Sequence, residues 1–316
     1  MINSVLLTGA LGYIGGRLAQ ALVADGYSLT CGTRRTVMQS PEWLRNAQMA
    51  HLDWDSLESL TKACSGMDCV IHLAAMNEVD SIEDPLGALR INGLASLRLL
   101  EAAKLAGVRR FIYFSTAHVY GSPLQGRITE MSLPRPVHPY AITHKVAEDF
   151  VLAAHDQKQI EGVVIRLSNG FGAPATSDIN RWTLLVNDLC RQASISRELR
   201  LNSPGLQLRD FITLGDVAQA VKHLLQLDAP QLEDGLFNLG GGKSMSILSM
   251  AELIAARWSA LTGDEIPIIR PSGNAISPPA LSYCSDKLGA TGFLPTSQFD
   301  LEIDDTLKLC LRSFGR

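Results

Sequence analysis

The stretch LLTGALGYIGGRLAQAL, Leu6 to Leu22, decides the fold. An apolar run, SVLLT, leads into Gly9, Gly12 and Gly15, and a helical pattern from about Gly12 to Asp25 follows at once. Glycines at this spacing permit a tight turn and let the backbone approach a pyrophosphate. The helix start adds free amides and a partial positive charge. A strand before the triplet and a helix after it supply the context that a bare glycine turn lacks. Gly9, Leu11, Gly12, Tyr13, Ile14 and Gly15 are therefore expected to face a dinucleotide.

Outward from this loop, short apolar runs alternate with helical patterns. YSLTCGT is expected as the second strand and AQMAHLD as a weaker third. DCVIHLAA, RFIYFST and GVVIRLS are unbroken apolar runs, as strands covered on both faces should be. LESLTKAC, NGLASLRLLEAAKLAG and YAITHKVAEDFVLAAH carry helical spacing between them. Such alternation implies an α/β fold: a doubly wound parallel sheet with helices on both sides. After about Gly170 the rhythm changes to a Gly-, Ala- and Pro-containing loop, GFGAPATSDIN. Helices then mix with isolated short strands, RDFITL and LFNLG, and a proline-rich stretch, IPIIRPSGNAISPPA, is expected to be irregular. The expected division is 1–170 for the dinucleotide-binding domain, with later strands contributed from about 208–240. Residues 171–316 are expected to form mainly a smaller substrate-binding lobe.

The whole chain narrows the class further. Its 316 residues suffice for one large domain or two coupled ones, and 46% are apolar against 19% charged. A net charge of −4 and a pI of about 6.0 give no basic face, so nucleic acid is not an expected partner. No apolar run approaches the ~20 residues of a membrane span. MINSVLLTGA lacks the basic start and long apolar middle of a signal peptide, so a cytoplasmic location is expected. The six cysteines are scattered without metal-ligand spacing, which predicts reduced thiols and no metal site.

The end of the second strand bears on which dinucleotide fits. An acidic residue there would bond the ribose hydroxyls of NAD. This chain has Gly32, Thr33, Arg34 and Arg35 instead. A guanidinium suits a 2′-phosphate, so Arg34 points to NADP, with NAD possible if both arginines are simply solvated. Asp53 is placed either to accept from the adenine amino group or to cap the helix beginning near Leu57.

With these residues in hand, the sequence resembles the extended short-chain dehydrogenase/reductase family, the NAD-dependent epimerases and dehydratases. Thr8 to Gly15 fits TGxxGxxG, and IHLAA, Ile71 to Ala75, resembles the end of the family's fourth strand. FSTAHVYG and HPYAITHKVAE resemble its fifth-strand signature and its tyrosine–lysine helix. RLSNGFG, LRDFITLGDVA and FNLGGGKSMSI resemble later landmarks, so the match spans almost the whole chain. The resemblance implies a Rossmann-type sheet with a smaller C-terminal substrate lobe. It also implies a homodimer packed through the helices around Asn92–Ala106 and Tyr140–His155. Leu73, Ala74, Ala75 and Asn92 join the implied cofactor contacts.

The resemblance also assigns the chemistry. Tyr140 would exchange a proton with a sugar hydroxyl or ketone while nicotinamide exchanges hydride, and Thr116 would bond the same oxygen. The family's lysine four residues on lowers the phenol's pKa from about 10 and holds the nicotinamide ribose. Here that residue is His144, and Lys145 follows one place late. Pro139 before Tyr140 and Glu148 after it fix the alignment. On a helix the fourth residue on lies ~40° from Tyr140 and the fifth ~140° away. Three readings stand open. His144 replaces the lysine, with a pKa near 6.5 that would make activity pH-sensitive. Alternatively, Tyr140 and Thr116 act alone, or the protein is a non-catalytic dinucleotide scaffold or sensor.

The family's dehydratases carry an acidic pair after the catalytic threonine. Ala117 and His118 stand there, which argues against dehydration. His118 would then serve as a second acid/base or only line the pocket. Arg34 favours NADPH-dependent reduction of a keto-sugar nucleotide, and an epimerase that retains NAD is the alternative. Asn169 and Arg209 are expected at the substrate, with Arg209 on a diphosphate. A second phosphate arginine has no clear match, since Arg270 falls too early.

Overall fold

The computed structural model describes residues 1–35, 39–272 and 279–315. The proline-rich reading of 266–280 therefore lies partly outside the described residues. Five strands open the chain: β1 (Ser4–Thr8), β2 (Ser28–Thr33), β3 (Gln48–His51), β4 (Cys69–His72) and β5 (Arg110–Thr116). With strands Glu161–Leu167 and Leu236–Leu239 they form one seven-stranded sheet. Its order is Leu236–Leu239, Glu161–Leu167, β5, β4, β1, β2, β3, and every neighbouring pair is parallel.

Why these runs become strands covered on both faces shows in their side chains. Along β1, Val5 and Leu7 enter one apolar cluster with Leu18 and Leu22 of helix α1 (Tyr13–Ala24), while Leu6 enters the cluster on the opposite face. β5 repeats the pattern: Ile112 and Phe114 face one way, Phe111 and Tyr113 the other. Each fully buried side chain of this kind contributes about 1.5–3 kcal/mol. A sheet so covered needs an apolar residue at nearly every position, which is the pattern of RFIYFST.

The two strands of the second half take different places. Leu236–Leu239 is the outer strand of the main sheet beside Glu161–Leu167. Leu208–Thr213 instead pairs with Asn169–Phe171 and Ser244–Ser246 in a separate three-stranded sheet. A further apolar cluster, containing Trp182, Phe211, Met250, Trp258 and Leu307, lies in this part of the chain. The helical stretch around Asn92 begins with a wide π-helical turn, Leu89–Ala95, before the α-helix Ser96–Leu105. Among the described residues no helix is long and apolar enough to cross a membrane.

Candidate active site

In an open parallel sheet, ligands bind beyond the carboxyl ends of the strands where the order reverses, here between β1 and β4. A cavity of about 1160 Å³ is lined there by the ends of β1, β2, β4 and β5. Ligand pockets run to roughly 1,000 Å³, so this one is at the large end of that range.

At its β1 end the wall is backbone. Gly9 has φ +73°, and a Cβ on it would sit 2.9 Å from the Ala74 nitrogen. A Cβ on Gly15 would come within 2.1 Å of the Gly9 carbonyl oxygen. Gly12 is the N-cap of α1 and offers no side-chain cap, and no acidic residue occupies the first turn. The first-turn amides are thus left for a ligand. These features fit the pyrophosphate of a dinucleotide.

Every sequence-expected site residue but one lines this cavity: Gly9, Leu11, Gly12, Tyr13, Ile14, Gly15, Arg34, Asp53, Leu73, Ala74, Ala75, Thr116, His118, Tyr140, His144, Asn169 and Arg209. The exception is Asn92. It is fully buried; its Oδ1 accepts from the Met76 amide (2.7 Å) and its Nδ2 donates to Thr143 Oγ1 (3.0 Å). It ties the loop after β4 to the helix Pro139–Asp156 rather than facing the cavity, because its amide is spent on those partners. Asp53 does not cap the following helix: Ser56 does, accepting from the Ser59 amide at 3.1 Å. Arg270 is exposed, donates to the Pro204 carbonyl and is not part of the wall.

The helix Pro139–Asp156 places the residues expected to be acid and base. His138 is its N-cap, accepting from the Ala141 amide, and Pro139 has the preset φ that suits a first helical position. Tyr140 therefore opens the first turn, at the cavity wall. Burial pushes its phenol up to about 12, opposed first by Arg181 and then, after a counter-effect from Glu78, by a hydrogen bond from Thr116. His144 packs edge-on against Tyr140, ring centroids 4.5 Å apart. Its Nδ1 bonds the Tyr113 hydroxyl at 2.7 Å, and its buried Nε2 has no partner among the described residues. Burial pushes this imidazole down to about 3. This corrects the expectation of a histidine titrating near pH 6.5: a ring only 3% exposed cannot hold a charge without a counter-ion. Lys145 turns away and pairs with Asp149, as the helix angle requires.

Behind the site, Glu148 and Arg166 form a buried pair (2.7 Å), and the Ser115 hydroxyl donates to the same carboxylate. The pair fixes β5, the helix and the Glu161–Leu167 strand to one another. Facing the cavity, His118 meets His138 with ring centroids 5.5 Å apart, and His138 lies 3.7 Å from Glu78. Burial lowers the His118 pKa, with Glu78 opposing. Arg209 makes no ion pair among the described residues, which sets aside a surface salt bridge for it.

Sequence reasoning passed over Arg181, Glu78, Asn77 and His138. No local signal marks Arg181, a lone arginine in an irregular loop. The His-Pro pair before Tyr140 was a visible helix start, and its histidine was the overlooked part.

This geometry defines a nicotinamide-dinucleotide enzyme of the short-chain type, and comparison with known proteins agrees. The NAD dependent epimerase/dehydratase family model matches residues 5–240, and the chain belongs to that family. Its class is thereby NAD(P)-dependent epimerase or oxidoreductase. A UDP-glucose 4-epimerase of Streptomyces lividans is 29% identical over 291 residues, covering 85% of this chain and 84% of the relative. A dTDP-glucose 4,6-dehydratase of Streptomyces niveus is 27% identical over 265 residues, covering 79% and 76%. The solved structure of MoeE5 in complex with UDP-glucuronic acid and NAD superposes with a TM-score of 0.79 at 26% identity, covering 98% of this chain and 99% of that one.

Proposed function

We propose that this enzyme reduces a ketone on a nucleotide-linked sugar, drawing on NADPH. The observation that carries the reading is the placing of Tyr140 on the cavity wall with His144 edge-on against it, ring centroids 4.5 Å apart; burial raises the phenol's pKa and lowers the imidazole's. A protonated phenol can give its proton to an oxygen that gains charge as a carbonyl is reduced. Taking a proton from an alcohol first requires the phenolate, which burial disfavours. A nicotinamide dinucleotide held at the glycine loop would supply the hydride. Thr116 would share the substrate oxygen with Tyr140. His144 would act as an uncharged donor in the tautomer in which the Tyr113 hydroxyl donates to Nδ1, which leaves the proton on the unpartnered Nε2 for a ribose hydroxyl.

Arg34, exposed at the cavity mouth after β2, supports the choice of NADPH. Arg209 and Asn169, from the three-stranded sheet, would hold the sugar nucleotide, with residues from 171 onward forming most of the substrate side. Leu86, Leu89, Ile142 and Phe150 are exposed on the helices flanking the site, which fits a second copy of this chain.

The test is substrate-dependent loss of NADPH absorbance with a panel of keto-sugar nucleotides. Oxidation of NADPH supports the reading, and silence across the panel contradicts it. A second reading, epimerisation with retained NAD, is favoured by the 4-epimerase among the relatives. It predicts NAD co-purifying with the protein and no net consumption of NADPH.

A further inference from the structure

On the substrate side of the cavity, one strand junction has its hydrogens already committed. Thr116, at the end of β5, pairs in register with Leu167, so Ser168 stands one residue further on at the same end of the sheet. Ser168, Asn169 and Arg209 line the cavity with Thr116 and Tyr140. Ser168 and Asn169 are half-buried, and Asp210, next to Arg209 in the strand Leu208–Thr213, holds them both.

Chemistry fixes the direction of each bond. Asp210 is 1% exposed, and its Oδ1 lies 2.6 Å from the Ser168 hydroxyl while accepting from the Gly241 amide at 2.9 Å. Burial raises its pKa to about 6, with the Ser168 hydrogen bond opposing. At neutral pH the group is therefore a carboxylate, which only accepts. Ser168 must donate to it, and taking that donor away from a buried carboxylate carries a large penalty. Asn169 is turned in the same way. Its Nδ2 donates to the Asp210 carbonyl at 2.8 Å, and its Oδ1 has no partner among the described residues. Ser168 thus faces a ligand with lone pairs and no hydrogen. Arg209 beside it is the opposite kind of group, with donors and no acceptor.

We propose that Ser168, held by Asp210, is a specificity-determining acceptor. It takes a hydrogen bond from a hydroxyl of the sugar ring that lies against Thr116 and Tyr140, and it disfavours a ligand whose group there can only accept. Asp210 acts through Ser168 and is a positioning residue. The inference rests on the sugar-nucleotide reading, and its test needs no turnover. The protein with NADP present is titrated calorimetrically with UDP, with UDP-glucose, and with four UDP-glucose analogues carrying fluorine in place of the hydroxyl at carbon 2, 3, 4 or 6. Fluorine is close to hydroxyl in size and cannot donate. At one position the analogue should bind about tenfold or more weakly than UDP-glucose, because the site's acceptor is left unpaired. In Ser168→Ala that gap should shrink to about twofold or less. Ser168→Cys, whose thiol is a poor acceptor, should narrow it likewise and serves where the alanine variant does not fold. Asp210→Asn, whose oxygen the Gly241 amide retains, should keep the gap. Four analogues that all bind like UDP-glucose overturn the proposal, as does a gap that survives in both Ser168 variants. If neither UDP nor UDP-glucose binds, the sugar-nucleotide reading falls and this inference with it. If the gap behaves as expected but no NADPH is oxidised, the proposed reduction fails and the role of Ser168 stands.

Discussion

The two ends of the cavity are built from different materials. At the glycine loop the wall is backbone: Gly9 and Gly15 lie so close to Ala74 and to each other that no side chain fits, and the helix amides do the work. At the Tyr140 corner the wall is side chains from β5, the helix Pro139–Asp156 and the 176–184 loop, with His144 held by the Tyr113 hydroxyl 31 positions away. A backbone cradle tolerates no substitution but needs no particular charge. A side-chain corner tolerates substitution if charge and hydrogen bonding are restored from elsewhere.

The contrast can be broken at either end. Tyr140→Phe removes the proposed proton donor and should lower turnover by about 10²–10⁴-fold. Nicotinamide fluorescence titration should show cofactor binding within a factor of a few of the wild type. If binding is lost as well, the two ends are not separable. Gly15→Ala puts a Cβ within 2.1 Å of the Gly9 oxygen. Relieving such overpacking costs typically 1–3 kcal/mol, so dinucleotide affinity should fall roughly 5- to 150-fold in the same titration. The Tyr140 Cζ resonance of the unliganded protein should not move. Arg34→Asp sharpens the cofactor end alone: the NADPH-to-NADH affinity ratio should drop about tenfold or more, or about 1.4 kcal/mol. An unchanged ratio would make Arg34 a solvated loop charge and favour the epimerase reading.

The same contrast explains what was legible in the sequence. The turn from β1 into α1 is local, so Thr8 to Gly15 announces it through residue type and spacing alone. The strands β4 and β5 are equally plain because burial on both faces demands unbroken apolar runs. Strands from about 208–240 were expected to join the main sheet; Leu236–Leu239 does, whereas Leu208–Thr213 pairs in the smaller sheet, since pairing partners are set by tertiary topology. Position 144 was readable as a histidine one turn from Tyr140. Its neutrality was not, because that depends on burial against Tyr113, a residue 31 positions away. Asn92 had the right neighbourhood but the wrong direction, its amide turned into the protein by Met76 and Thr143. Arg181 was invisible: its place depends on Asn187 and, through it, on Tyr13, contacts no spacing rule encodes.

The most direct test of the central claim is the pH dependence of the initial rate of keto-sugar nucleotide reduction at saturating NADPH. With His144 held near 3 and the Tyr140 phenol near 12, neither group changes protonation across neutrality. The account predicts a rate that is flat through the neutral range. A step near pH 6.5, the ordinary midpoint of histidine, that disappears in His144→Gln would show a charged histidine in the relay and contradict the account.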